Sequence, residues 1–283
     1  MSIGRNRWLP HLVLLIGVVI FVFPIYLTII GSTHDAPTIA RGDMPLTPGG
    51  VEQTLQNYEQ ALVSGVGDRV RGTPAVVLLR NSFVMALVIV VGKIAISLLS
   101  AFAVVFFEFP FRMFFFWMIF ITLMLPVEVR MIPTYAVVAN LGMVDTFAGL
   151  TIPLIASATA TLLFRQFFLT IPDELVDAAQ IDGAGPMRFF WSVLMPLSRT
   201  NIAALFVILF IYGWNQYLWP LIVTTSRSRE TIVIGIVKMI GSGESATDWN
   251  MIMAVAMLAL IPPVLVIILM QRWFVKGLVD PEK

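Results

Sequence analysis

The sequence predicts an all-α integral membrane protein. Of its 283 residues, 58% are hydrophobic and only 12% are charged, whereas a soluble domain carries roughly 45–50% apolar and about 25% charged residues. Charge at half the usual density cannot cover a surface that faces water. A transmembrane β-barrel is disfavoured, because barrel strands alternate over segments of about ten residues and residues 114–120 form an unbroken apolar run instead.

Six apolar segments are long enough to cross a bilayer as helices, which takes about 20 residues. They cover residues 9–30, 81–107, 111–130, 146–168, 201–224 and 251–273. The first is longer than the apolar core of a signal peptide, about 7–15 residues, and no small-residue cleavage site follows, so a retained helix is favoured over a cleaved signal. We expect a single transmembrane domain over residues 1–283, with an irregular outer loop that contains one short helix around residues 51–62.

The orientation prediction depends on the first span. Arg5 and Arg7 precede it without a neighbouring acid, and the positive-inside rule then places the N-terminus in the cytoplasm. Six spans return the C-terminus and the 169–200 loop to the same side. Lysine and arginine counted over all loops are nearly balanced between the two sides, so they add little to this assignment.

Several function classes are excluded by composition and motif. A net charge of +1 argues against nucleic-acid binding, and the absence of cysteine excludes disulfides, thiol catalysis and cysteine-ligated metals. The chain has no G-x4-G-K-[ST] motif, so it does not hold ATP in a P-loop, and His11 and His34 do not form H-E-x-x-H. We expect no cofactor and no metal site in this chain, and an intramembrane enzyme lacks a paired catalytic constellation.

The 169–200 loop is a polar island between apolar spans. Pro172 stops the fourth span, Asp173 is expected to be the N-cap of a new helix, and Glu174 and Asp177 favour its positive end. Gly183 and Gly185 are expected to end that helix. The loop is either an amphipathic connector on the lipid headgroups or a docking surface, and its acids count against anionic headgroups.

A second short helix is expected over residues 186–195. Pro186 suits its first turn, and Phe189, Phe190 and Trp191 give it a large apolar surface. We expect Pro196 to end it. The two helices would form a helix–bend–helix unit that lies across the membrane surface.

The spacing within this loop resembles the E-A-A-x3-G-x9-I-x-L-P signature of bacterial ABC importer permeases. It reads Asp177-Ala178-Ala179, three residues, Gly183, nine residues, and then residues 193–196 as Val-Leu-Met-Pro. The resemblance implies a type I ABC importer permease fold, whose cytoplasmic coupling-helix loop fits a cleft on a homodimeric ATPase subunit. The coupling residues that it implies are Glu174, Asp177, Ala178, Ala179, Asp182, Gly183, Ala184, Met187 and Phe190.

Charged residues within the spans are functional hypotheses, because a charge at mid-bilayer costs at least about 2.5–3.5 kcal/mol. Lys93 lies near the middle of the second span, where it either snorkels and pairs with a carboxylate or lines a substrate path. Glu128 and Arg130 follow Pro126, and either pair with a partner subunit or line a cavity. Arg165 is expected to anchor the inner end of the fourth span.

The fifth span contains the aromatic and amide stretch 212–220. Tyr212, Asn215 and Gln216 either line a pore or belong to an outer aromatic belt with helix–helix hydrogen bonds. A similar W-N-x-x-x-W-P stretch recurs in this span of sugar-importer permeases.

Most of the chain resembles the carbohydrate-importer permeases of the maltose type. The strings 119–130 and 211–220 resemble more closely the branch that imports sn-glycerol-3-phosphate. The resemblance implies a heterodimer with a homologous permease in the bacterial inner membrane, a partner ATPase that binds ATP and Mg²⁺, and a periplasmic solute-binding protein. Glycerophosphodiesters are further expected substrates. A permease for a neutral sugar or polyol is the alternative in this class. An ATP-independent carrier or channel is the alternative outside it, and leaves the loop signature without a role.

Overall fold

The computed structural model describes residues 8–42, 44–65, 72–122, 125–241 and 248–279. These residues form helices and no strand, as expected. Arg5 and Arg7, on which the orientation depends, lie outside the described residues. The α-helices are α1 (Trp8–Ser32), α2 (Ala36–Ala40), α3 (Val51–Glu59), α4 (Ala75–Phe106), α5 (Arg112–Ile121), α6 (Val127–Asn140), α7 (Phe147–Thr151), α8 (Ala158–Phe168), α9 (Asp173–Ile181), α10 (Pro186–Phe189), α11 (Met195–Leu197), α12 (Arg199–Trp214), α13 (Leu218–Val223), α14 (Ile232–Gly241) and α15 (Trp249–Val279).

Three described helices are long and apolar enough to cross a membrane. They are α1, α4 and the part of α15 from Trp249 to Arg272. Two bent pairs also pass this test: Phe147–Leu154 with Ala158–Phe168, bent by 45°, and Pro186–Leu197 with Arg199–Trp214, bent by 72°. The described residues thus give three spans, or up to five if each bent pair counts as one.

Three of the six expected spans are interrupted rather than continuous, and proline accounts for each break. A proline has no N–H for the carbonyl four residues before it, and its ring clashes with that carbonyl. Pro126 separates α5 from α6, so the expected span 111–130 is two helices. Pro153 lies in a 3₁₀ turn within the expected span 146–168, and Pro220 follows the break at residues 215–217 in the span expected over 201–224.

The chain divides into two compact units: residues 1–79 with 234–261, and residues 80–233 with 262–283. This division does not test the expectation of a single transmembrane domain over residues 1–283, which stays a prediction. In the first unit the segment that follows α1 is organised around the buried side chain of Asn57. Its amide donates to the carbonyls of Ser32 and His34 at 2.9 and 2.8 Å, and its Oδ1 accepts from Asn250 at 3.2 Å. The expected short helix is present as α3, which continues as a π-helical turn over Gln60–Ser64.

The second unit is packed around α4. A Cβ on Gly213 of α12 would lie 3.0 Å from the Cα of Ala86, and one on Gly92 would lie 2.7 Å from Ile155. A Cβ at either position would force its neighbour to shift, so these two glycines let α12 and the α7–α8 bend lie close to α4. An apolar cluster then joins α4 to α6, α7 and α13 through Met85, Val138, Leu150 and Trp219.

Candidate functional site

The first candidate site is the surface of α9 in the 169–200 loop. The helix begins directly after Pro172, which is its N-cap and makes no side-chain capping bond. The prediction that Asp173 caps the helix is therefore wrong: Pro172 already supplies the extended ψ of a cap, and Asp173 is the first helical residue. Asp173 and Glu174 still lie in the first turn, where negative charge is favourable.

The expected coupling residues of α9 are mostly accessible. Glu174, Asp177, Ala178, Asp182 and Gly183 are exposed. Ala179 and Ala184 are half-buried, and Met187 at the start of α10 is 53% exposed. The result is an acidic surface with small side chains, which a partner could approach closely.

Gly183 ends α9 with a backbone that other residues rarely adopt. Its φ is +71°, in the left-handed region. The N–H of Gly183 donates to Gln180 O at 3.0 Å, and the N–H of Ala184 donates to Ala179 O at 2.9 Å. These are the two bonds of a Schellman motif, which glycine at this position stabilises because it has no Cβ. The expected break at Gly183 is confirmed.

The second half of the loop is anchored to α4 by aromatic side chains. Phe190 is 3% exposed, and its ring centroid lies 5.1 Å from that of Phe102. The ring centroids of Phe189 and Phe106 lie 5.4 Å apart. Phe190 was expected among the residues that face an ATPase, but its side chain packs inside this chain instead. It therefore links the loop to the transmembrane helix.

Pro196 does not end the second helix, contrary to the prediction. Helical geometry continues through a π-helical turn over Phe190–Leu194 and α11 to Leu197, and α12 begins at Arg199. The change of direction lies at Ser198, whose hydroxyl donates to Leu194 O at 2.7 Å. Pro196 has no N–H to donate, and the turn directly before it is π-helical rather than α-helical.

The second candidate site surrounds Lys93 on α4. Lys93 is 6% exposed, and its Nζ lies 4.0 Å from the centroid of the Tyr212 ring on α12. Among the described residues no carboxylate contacts this amine. The positive charge of Arg130, at the start of α6, acts on Lys93 electrostatically. The structure therefore brings Lys93 and Tyr212 together from two helices, with Arg130 within electrostatic range of the amine.

The remaining path candidates lie at helix ends. Glu128 and Arg130 are exposed in the first turn of α6. Asn215 caps the C-terminus of α12 and is exposed, whereas the amide of Gln216 donates to Tyr212 O at 3.1 Å. The guanidinium carbon of Arg165, the expected anchor, lies 4.3 Å from the centroid of the Phe116 ring.

Two residues with clear structural roles were not singled out from the sequence. Trp219 is 3% exposed, and its indole N–H donates to Gly149 O at 3.1 Å. That carbonyl is left free because the residue four positions later is Pro153. Asp145 accepts from the backbone N–H groups of Thr225 and Ser226, both at 3.0 Å. The Trp-Pro pair at 219–220 was the available signal for the first contact. The second had none, because it joins loops 80 residues apart.

Comparisons with known proteins fit this architecture. Residues 93–280 match the family model described as a binding-protein-dependent transport system inner membrane component. The chain is 62% identical to the sn-glycerol-3-phosphate transport system permease protein UgpE of Agrobacterium fabrum, covering 98% of this chain and 97% of that one. It is 56% identical to the protein of the same name from Yersinia pestis, covering 96% of each.

A solved structure shares the fold at low sequence identity. It is a bacterial ABC transporter involved in the import of the acidic polysaccharide alginate, with a TM-score of 0.82 and 19% identity over 97% of this chain and 99% of that one. This likeness supports the fold alone. Because the family model covers well over half of the chain and the relatives cover almost all of it, the chain belongs to the inner-membrane permease components of binding-protein-dependent transport systems.

Proposed function

We propose that this chain forms, with a homologous permease subunit, the path by which sn-glycerol-3-phosphate crosses the bacterial inner membrane. Relatives that are 56–62% identical carry this substrate in their names. Since the sequence contains no P-loop, a separate ATPase subunit would hold ATP and Mg²⁺, and a periplasmic solute-binding protein would deliver the substrate. Both termini would lie in the cytoplasm.

The observation that carries the substrate proposal is the burial of Lys93 without an acidic partner. A charge at this depth costs at least about 2.5–3.5 kcal/mol. A desolvated cation–π contact such as that with Tyr212 returns about 2 kcal/mol. The part of this cost that the cation–π contact does not offset would be met by a bound anion. Phosphate oxygens accept short charge-assisted hydrogen bonds from an ammonium group.

A second cation matches the charge of the substrate. A phosphate monoester carries about −1.5 to −2 charges at pH 7, which one lysine cannot neutralise. Arg130 acts on Lys93 from the first turn of α6. The two cations repel one another when the path is empty, and an anion between them relieves that repulsion.

The contact with the ATPase is proposed for the exposed face of α9. Its acids and its alanines form a rigid short helix that a cleft on a partner can enclose. Phe189 and Phe190 would then transmit the movement of that helix to α4 through their contacts with Phe106 and Phe102.

Transport by the reconstituted complex tests the substrate proposal. Uptake of sn-glycerol-3-phosphate would be measured in proteoliposomes that hold both permeases, the ATPase and the binding protein. Lys93→Gln is expected to lower the uptake rate roughly ten- to hundredfold, because a hydrogen bond to a charged group contributes about 1.5–3 kcal/mol. Lys93→Arg keeps the charge and should retain most of the uptake.

The matched control is Lys238→Gln, which removes the charge of an exposed lysine on α14. It should leave uptake unchanged. If Lys93→Gln also left uptake unchanged, the phosphate would not be bound by Lys93. ATPase stimulation by a neutral sugar or polyol would favour the neutral-substrate alternative, and uptake without the ATPase subunit would contradict the ABC importer.

A further inference from the structure

A groove lies where the 169–200 loop turns into α12, apart from both candidate sites. Its volume is about 640 Å³, within the usual range of about 300–1,000 Å³ for sites that hold small molecules. Trp191, Met195 and Pro196 line it from the loop side, and Arg199, Ile202 and Phe206 line it from α12. The groove is thus an open apolar surface with one cation, at the bend between the 169–200 loop and α12.

The only charged residue among the described residues that line the groove is Arg199. None of the described residues that line it is acidic. Arg199 is exposed, and within the described ranges its guanidinium has no carboxylate partner. Met270 of α15 completes the lining.

The two halves of the 169–200 loop carry opposite charge, so they favour partners of opposite charge. The acids of the loop, such as Glu174 and Asp177, stand on α9 before Gly183. The loop residues that line the groove all come after Gly183, and that part of the loop carries Arg188 and Arg199 but no acid. An anionic surface would be repelled by the first half and attracted by the second.

The position of the groove along the span fits the membrane–water interface. Trp191 is 62% exposed, and tryptophan is enriched at the level of the lipid headgroups. Arg199 begins the helix that continues into the membrane as α12. An acyl chain could lie along Ile202 and Phe206 while a phosphate contacts the guanidinium. Basic pockets between membrane helices bind anionic headgroups in this way.

We propose that this groove binds an anionic phospholipid from the leaflet next to the 169–200 loop. The apolar lining selects the acyl chain, and Arg199 selects the phosphate-bearing headgroup with net negative charge. The lipid would then contact both the loop and α12, so it would stabilise the bend between them. This site is separate from the path around Lys93.

Quenching by brominated lipids tests the proposal on the complete transporter. The complex would be placed in nanodiscs of phosphatidylcholine, and brominated phosphatidylglycerol or brominated phosphatidylcholine would be titrated in. The contribution of Trp191 is obtained as the difference between the wild type and Trp191→Phe. An arginine near the surface adds about 1 kcal/mol to the attraction of an anionic lipid. We therefore expect half-maximal quenching of Trp191 at roughly fivefold less phosphatidylglycerol than phosphatidylcholine.

The variants separate charge from fold. Arg199→Gln should abolish the preference for phosphatidylglycerol, Arg199→Lys should keep it, and Arg41→Gln, at an exposed arginine of the other compact unit, should not change it. Equal quenching by the two lipids in the wild type would overturn the proposal, as would a preference that survives Arg199→Gln. Absence of Trp191 quenching by either lipid would show that a protein subunit covers the groove, and would also overturn it.

Discussion

Trp219→Phe is expected to destabilise the second compact unit by removing a single buried hydrogen bond. The indole N–H of Trp219 donates to Gly149 O at 3.1 Å, and the tryptophan is 3% exposed. Pro153 cannot supply the missing N–H. The carbonyl of Gly149 would therefore stay buried without a donor.

The magnitude follows from the cost of an unsatisfied carbonyl. Leaving a buried acceptor without its donor costs about 1–3 kcal/mol, whereas side-chain hydrogen bonds measured within membranes average about 0.6 and reach about 1.7 kcal/mol. Because the proline removes the local alternative, we expect a loss of about 1–2 kcal/mol from the hydrogen bond alone.

Trp214→Phe is the matched control for the volume that is lost. Trp214 is also 3% exposed and stacks on Phe210, and among the described residues its indole N–H has no acceptor. Equilibrium unfolding in mixed detergent micelles, followed by circular dichroism, would give the free energy of unfolding of both variants. Equal losses for the two substitutions would refute the reasoning, since both remove the same atoms and only one removes the hydrogen bond.

Two further predictions concern the loops. Gly183→Ala places a Cβ on a left-handed residue at a cost of about 1–2 kcal/mol, so we expect it to reduce stimulation of the ATPase by the solute-binding protein. Gly185→Ala, where φ is −67°, should not, and equal reduction by both would contradict this account. A hydrogen bond from Ser226 holds the pKa of the Asp145 carboxyl below its ordinary 3.8, so the contact stabilises the fold above that pH and is lost as the pH falls through the lower folded-state pKa. Asp145→Asn should therefore speed amide hydrogen exchange at Thr225 and Ser226 at neutral pH but not below that pKa, and unchanged exchange at neutral pH would argue against the contact.

The sequence was informative where local chemistry decides the structure. Apolar length predicts α1, α4 and α15, and Gly183 and Pro186 predict where the loop helices end and begin. The bond-breaking effect of proline is also local, but Pro153 and Pro220 were not used to divide their spans. Each of these two expected spans is therefore divided into shorter helices where one continuous helix was expected.

Contacts between distant residues could not be predicted in the same way. The distance between Lys93 and Tyr212 depends on the rotation of two helices about their axes, and the close approach of these helices at Gly213 and Ala86 joins residues far apart in the sequence. Phe190 illustrates the same limit. The loop signature placed it among the coupling residues, whereas its burial follows from the packing of its ring on Phe102.

Phe189 and Phe190 attach the 169–200 loop to one end of α4, and Lys93 lies further along the same helix. Phe102 lies nine residues after Lys93, which corresponds to about 14 Å along a straight helix. Tyr212 stands on α12, which starts at the Ser198 bend of the same loop. A small tilt of one helix against the other would separate an amine and a ring that must stay within about 6 Å to attract each other. We therefore expect the distance between the Lys93 amine and the Tyr212 ring to change with the position of the 169–200 loop, which contacts α4 and joins α12 at the other ends of these helices.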